Sequence, residues 1–194
     1  MARPPATSRE AIDEVALDLF LAHGYAAVTV ADLVAAAGIS RPTFFRYVTR
    51  REDLVLDQIA AFGTRVAEVL DGQPGRGWPA LGGALCDAMA AMAPDSPTGK
   101  AFRVIQQDAD LRATALGLTR TWRRQLTESL VRRGDYAGDP LRCEAAAAMA
   151  IGLAQMIWAD PQRHPDPHAV FTEAAGLTGR TVSRRAAARR APDE

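Results

Sequence analysis

The 194-residue sequence contains only two cysteines, no long hydrophobic run and no excess of either charge. Cys86 and Cys143 lie far apart and form no CxxC pair, which argues against a disulfide framework. The N-terminus lacks the apolar stretch of a signal peptide, and no apolar run approaches the ~20 residues that span a bilayer. These absences predict a cytoplasmic protein with no membrane partner.

The common catalytic and cofactor motifs are also missing. Residues 75–80 match a loose GxGxxA string, but no predicted strand precedes them and Pro79 occupies the turn. His164 and His168 have the i, i+4 spacing of metal ligands, yet the prolines beside them prevent one helical face from presenting both. We therefore predict a protein that is not an enzyme, with no cofactor and no metal site.

A helix-turn-helix pattern occupies residues 29–47. Thr29 is placed to cap a first helix, with Asp32 three residues later in a variant of the capping box. Gly38 supplies the positive φ that ends this helix. Ser40 then caps a second helix that has Pro42 in its first turn. The pattern predicts two short helices joined by a tight turn, the arrangement that places a helix in the DNA major groove.

Four arginines and no acidic residue lie between residues 41 and 51. Such a block suits a phosphate backbone, although most short charge runs form only a solvated helix face. The position of this block on the second helix favours DNA binding. Because the chain has zero net charge, such binding would depend on this local basic patch and not on the overall charge.

Residues 24–30, 40–47 and 51–54 together resemble the tetracycline-repressor (TetR) family. The resemblance covers the first quarter to third of the chain and extends to a fourth helix beginning near Arg51. Two residues depart from the family pattern: Phe45 stands where Tyr is frequent, and Val48 stands where Phe is commoner.

The resemblance implies a set of DNA contacts. Arg41 and Arg46 are expected at base edges or nearby phosphates, and the apolar Pro42 and Phe45 at thymine methyl groups. The residues expected to fix the helix on phosphates are Thr29, Thr43, Tyr47 and Arg51. The complete expected interface consists of Thr29, Ser40, Arg41, Pro42, Thr43, Phe45, Arg46, Tyr47 and Arg51.

Every other segment of the chain has helical periodicity, so the predicted fold class is all-α with about nine helices. The sequence predicts a three-helix DNA-binding domain over residues 1–50 and a helical ligand-binding and dimerisation domain over 51–180. A tail without regular structure is expected over 181–194. In the body, turn-forming residues separate predicted helices at 79–93, 98–109, 111–133, 140–159 and 167–177.

The helical body is expected to hold a dimer interface, because the resembled family pairs its last two helices in a four-helix arrangement. The candidate interface residues are Ala148, Ile151, Gln155, Trp158, Val170, Ala174 and Leu177. The alternative is that these two helices are central in the core of a monomer.

An effector cavity is expected only from the resemblance, since Met and aromatic residues also fill ordinary helical cores. The candidate lining residues are Phe62, Arg65, Cys86, Met89, Met92, Phe102, Trp122, Gln125 and Met149.

Together these features predict a homodimeric transcriptional regulator, typically a repressor, that binds a pseudo-palindromic operator in double-stranded DNA and is released by a small-molecule effector. The alternative function is a helical ligand-binding or interaction protein that has lost specific operator recognition.

Overall fold

The structure is a computed structural model that describes residues 8–176. No β-strand occurs in that part of the chain, which confirms the all-α prediction. The predicted tail over 181–194 and the candidate interface residue Leu177 lie outside the described residues. The helices are α1 (Arg9–His23), α2 (Val30–Ala37), α3 (Arg41–Tyr47), α4 (Asp53–Gly72), α5 (Gly77–Ala90), α6 (Pro97–Gln107), α7 (Ala109–Leu116), α8 (Leu118–Arg132), α9 (Pro140–Ala159) and α10, described over 167–176.

Local capping signals determine where most of these helices begin. The Ser8 hydroxyl accepts a hydrogen bond from the backbone N–H of Ala11 and caps α1. A carboxylate oxygen of Asp139 accepts from the N–H groups of Leu141 and Arg142, and Pro140 opens α9. Both caps satisfy backbone donors that have no partner within the helix.

The predicted helix over 111–133 is instead two helices, α7 and α8, which meet at Gly117. The Gly117 N–H bonds to the carbonyl of Thr114, three residues earlier, at 3.0 Å. This tightened turn departs from the four-residue α-helical bond and ends α7.

The chain divides into two compact units, each with its own core. The first contains residues 8–65 and 90–122, so α1 to α3 share a unit with α6 and α7. Within it α1 packs against α2 and α6. An ion pair between Lys100 and Asp18 joins α6 to α1, and Phe20 and Leu33 are among its fully buried side chains.

The second unit contains residues 66–89 and 123–176. Its core includes Trp78, whose indole N–H donates to the carbonyl of Phe171 at 2.8 Å. Arg133 bonds the buried carboxylate of Asp135 at 2.9 Å and donates to the carbonyls of Gln73 and Gly75, which holds the loop after α4. None of the helices in residues 8–176 combines the length and apolarity needed to cross a membrane.

Candidate nucleic-acid interface

The first helix of the predicted motif, α2, begins at a complete capping box. The Thr29 hydroxyl accepts from the N–H of Asp32 at 3.3 Å, and the Asp32 carboxylate accepts from the N–H of Thr29 at 2.8 Å. The Thr29 hydroxyl also donates to the Asp32 carboxylate at 2.6 Å, and this bond together with the one from the Thr29 N–H lowers the pKa of Asp32. Aspartate therefore fulfils the role that Glu or Gln more often has at this position.

The turn between α2 and α3 has the geometry that the sequence predicts. Gly38 adopts a left-handed conformation with φ of 66°, and the N–H of Ile39 bonds back to the carbonyl of Val34 at 3.2 Å. The Ser40 hydroxyl then accepts from the N–H of Thr43 at 3.3 Å and caps α3. The turn is short and hydrogen-bonded, so it holds α3 at a defined angle to α2.

The two sides of α3 differ sharply in exposure. Phe44 and Val48 are completely buried and attach the helix to the core, whereas Phe45 is 52% exposed. The Phe44 and Phe45 rings meet edge to face at 5.4 Å between centroids. Exposed with Phe45 are Ser40, Arg41, Pro42 and Arg46, while Thr43 and Tyr47 are partly exposed.

The arginines of this region differ in whether a carboxylate lies beside them. Among the described residues, Arg41 and Arg46 form no ion pair with a carboxylate, although the Arg46 guanidinium lies 4.9 Å above the centre of the Tyr47 ring. Arg50 is paired with Asp53 at 2.9 Å, and this contact raises the pKa of Arg50. Of these arginines, the two without a carboxylate partner among the described residues therefore lie on α3.

Arg51 makes contacts that the sequence analysis missed. Its guanidinium donates to the carbonyl of Val28 and lies 4.2 Å above the centre of the Tyr25 ring. Both partners belong to the segment just before α2. These contacts brace the entry to the motif, and the contact of Arg51 with phosphate stays a prediction.

A family model described as "Bacterial regulatory proteins, tetR family" matches residues 12–57, the segment that runs from α1 into α4. Over these residues the chain matches the tetR family. Its members are transcriptional regulators with a DNA-binding helix-turn-helix, not enzymes.

Two curated relatives are transcriptional regulators. The chain is 29% identical over 179 residues to MftR of Mycobacterium tuberculosis, a transcriptional regulator assigned to mycofactocin biosynthesis, with 90% of this chain and 88% of MftR covered. It is 33% identical over 102 residues to the HTH-type transcriptional repressor ComR of Escherichia coli, covering 50% and 49% of the two chains. Among solved structures, NalD of Pseudomonas aeruginosa, the secondary repressor of the MexAB-OprM multidrug efflux pump, has a TM-score of 0.60 at 18% identity, covering 89% of this chain and 93% of NalD.

The candidate cavity residues divide between the two compact units. In the first unit, the Phe62 ring lies 5.3 Å from that of Phe102 and 5.9 Å from that of Trp122. These three residues are the aromatic cluster. Arg65 is exposed and Met92 partly buried in the same unit. In the second unit, Cys86 is buried, Met89 and Gln125 are partly buried, and Met149 is 44% exposed.

The candidate interface residues also separate by exposure. Ala148 is exposed, and Gln155, Trp158 and Val170 are partly exposed. By contrast, Ile151 and Ala174 are already buried within the chain, so they support the second core. Sequence reasoning missed several residues on the open side of α9. That side, which we call the α9 stripe, consists of Leu141, Ala145, Ala148, Met149, Gly152 and Met156.

Proposed function

We propose that this chain is a dimeric, cytoplasmic transcriptional repressor that binds a pseudo-palindromic operator and is released by a small-molecule effector. One observation carries the DNA-binding part. The outer side of α3 presents two arginines without carboxylate partners among residues 8–176, next to the exposed ring of Phe45, while Phe44 and Val48 anchor the other side. Such a surface combines charge for phosphates with groups that distinguish bases.

The outer residues of α3 divide into base contacts and positioning contacts. Arg41 and Arg46 have the donors for bidentate contact with guanine, and Pro42 and Phe45 supply apolar surface for thymine methyl groups. Thr29, Ser40, Thr43 and Tyr47 carry hydroxyls at the exposed edge and would bond phosphates. Arg51 would support them indirectly by holding the residues before Thr29.

A second copy of this chain is the proposed partner of the α9 stripe. The six stripe residues recur at helical spacing, are all apolar, and lie exposed on one side of a 20-residue helix. Small residues in the stripe permit close approach of another helix, and Leu141, Met149 and Met156 supply contact area. A symmetric dimer also matches an operator with two half-sites.

Effector control is proposed through the aromatic cluster of the first unit. Phe62 lies on α4, Phe102 on α6 and Trp122 on α8, so a ligand that displaces one ring alters the position of α4. Because α4 follows α3 directly in the chain, its movement changes the orientation of α3 toward DNA. Such coupling between sites is typically worth about 1–3 kcal/mol. The relatives ComR and NalD are both named repressors, which supports the proposed direction of control.

Selection of genomic fragments tests operator binding. Purified protein is mixed with genomic DNA from the source organism, including the DNA that flanks its own gene, and bound fragments are sequenced. We expect a shared inverted repeat, and we expect Arg41→Ala to lose affinity for it while remaining dimeric. Weak binding with no sequence preference would instead support a ligand-binding protein without operator recognition.

Dimerisation is tested separately by light scattering after size exclusion. Met156→Arg places a charge within an apolar contact, so we expect a dimer for the wild type and a monomer for the variant. Arg124→Glu, on an exposed position of α8, is the matched control and should remain a dimer. A dimeric Met156→Arg protein would remove the α9 stripe from the interface.

A further inference from the structure

Arg9, the first residue of α1, connects three helices through one side chain. Its guanidinium bonds the carboxylates of Asp13 at 2.7 Å and Asp57 at 2.8 Å. It also donates to the backbone carbonyls of Tyr47 at 2.9 Å and Asp53 at 3.1 Å. The side chain is only 26% exposed, so this arrangement is partly protected from water.

The carbonyl of Tyr47 belongs to the last residue of α3. A helix leaves its final carbonyls without partners inside the helix, and a cation at this end also interacts favourably with the helix dipole. Arg9 therefore caps the C-terminal end of the helix whose outer side carries Arg41 and Arg46. The same guanidinium is held to α1 by Asp13 and to α4 by Asp53 and Asp57. Asp13 is fixed in turn by the side-chain amide of Gln58, which donates to it at 3.1 Å.

We propose that Arg9 is a positioning residue that sets the orientation of α3 relative to α4, so that sequence-specific DNA binding depends on a side chain that does not touch DNA. This inference rests on the proposed operator binding. The guanidinium is suited to the role because its donors point in several fixed directions within one plane, whereas a lysine ammonium is a single point charge. Lysine at this position cannot reach all four acceptors together.

The proposal distinguishes two parts of DNA binding. Contacts with phosphates depend mainly on the number of charges and tolerate a small rotation of α3, whereas hydrogen bonds to base edges do not. A well-placed bidentate contact discriminates between bases by roughly 5- to 150-fold, so misorientation of α3 should reduce selectivity by at least about tenfold. Non-specific affinity and its dependence on salt should change little.

The test compares Arg9→Ala and Arg9→Lys with Lys100→Ala. The control removes another ion pair made to α1, between Lys100 and Asp18, which has no acceptor on α3. Affinity for the selected operator and for a scrambled duplex is measured by fluorescence anisotropy over a range of salt. All measurements are made well below the melting temperature of each variant, and the conservative Arg9→Lys change decides the question if Arg9→Ala does not fold.

We expect both Arg9 variants to lose at least about tenfold in the ratio of operator to scrambled affinity, with an unchanged salt slope. Lys100→Ala should keep the wild-type ratio even where its melting temperature falls. If the wild-type protein is selective and the Arg9 variants are equally selective, the positioning role of Arg9 is refuted. The proposed operator binding is not affected by that result. A wild-type protein without selectivity would overturn the proposed function and this inference together.

Discussion

Replacing Phe44 and Phe45 one at a time with alanine separates the folding of α3 from its recognition of DNA. The two rings are adjacent in sequence, but Phe44 is fully buried and Phe45 is 52% exposed. A phenylalanine side chain has about 200 Å² of surface, so about 100 Å² of Phe45 remains available for contact. At about 25 cal/mol per Å², complete burial against DNA would contribute up to about 2.5 kcal/mol for each half-site.

The expected results for the two variants are opposite in kind. Phe44→Ala should lower the free energy of unfolding by about 3–5 kcal/mol, because it empties a packed site. Phe45→Ala should lower it by no more than about 1.5 kcal/mol, the contribution of an edge-to-face pair. Its operator affinity should fall by up to about 60-fold for each half-site, since 1.4 kcal/mol corresponds to a factor of ten.

Urea unfolding measures the first quantity, and fluorescence anisotropy with operator duplexes measures the second. A duplex in which uracil replaces each thymine lacks the methyl groups that Phe45 is proposed to contact, so Phe45→Ala should lose less affinity on it. Operator affinity equal to that of the wild type for Phe45→Ala would refute the assignment of the exposed ring to the interface.

Three further predictions concern the body and its turns. A Cβ added at Gly63 would lie 2.6 Å from Cγ of Trp122, so Gly63→Ala should reduce stability to urea by about 1–3 kcal/mol despite the higher helix propensity of alanine; a more stable variant would contradict this packing. Ala137 has a φ of 58°, so Ala137→Gly should stabilise by about 0.5–1 kcal/mol, whereas the control Ala61→Gly within α4 should destabilise. Burial raises the pKa of Cys86 to about 11, so at pH 8 its thiol should resist a disulfide reagent until the protein is unfolded, and rapid labelling of native protein would contradict that burial.

The features predicted well from the sequence depend on residues close together in the chain. The Thr29 capping box, the left-handed Gly38 and the Ser40 cap each involve partners within four positions. Their hydrogen bonds form whenever the backbone turns in the predicted way, so residue type and spacing are sufficient. The same reasoning correctly placed the start of α9 at Pro140.

Exposure on α9 could not be predicted as well, because the helix is apolar on nearly every side. A helix with one apolar face shows its buried side in the sequence, whereas here Ile151 is buried and Ala148 exposed without a difference in polarity. Only the packing of the second unit decides which side remains open. That is why the sequence did not separate Ile151, which is buried, from Leu141 and Met156, which are exposed.

The arginines near α3 show the same limit in electrostatic terms. Arg41 and Arg51 look alike in a sequence, since both are basic residues beside a helix-turn-helix. Arg41 has no carboxylate partner among the described residues, whereas Arg51 bonds the carbonyl of Val28, 23 positions away, and Arg9 reaches Tyr47 across 38 positions. A run of positive charge therefore predicts that a DNA-binding surface exists, but it does not show which arginines bond backbone carbonyls that are distant in the chain. For this reason variants of Arg41 and Arg9 should both weaken operator recognition, yet only loss of Arg41 should also remove a charge from the interface and reduce the salt slope.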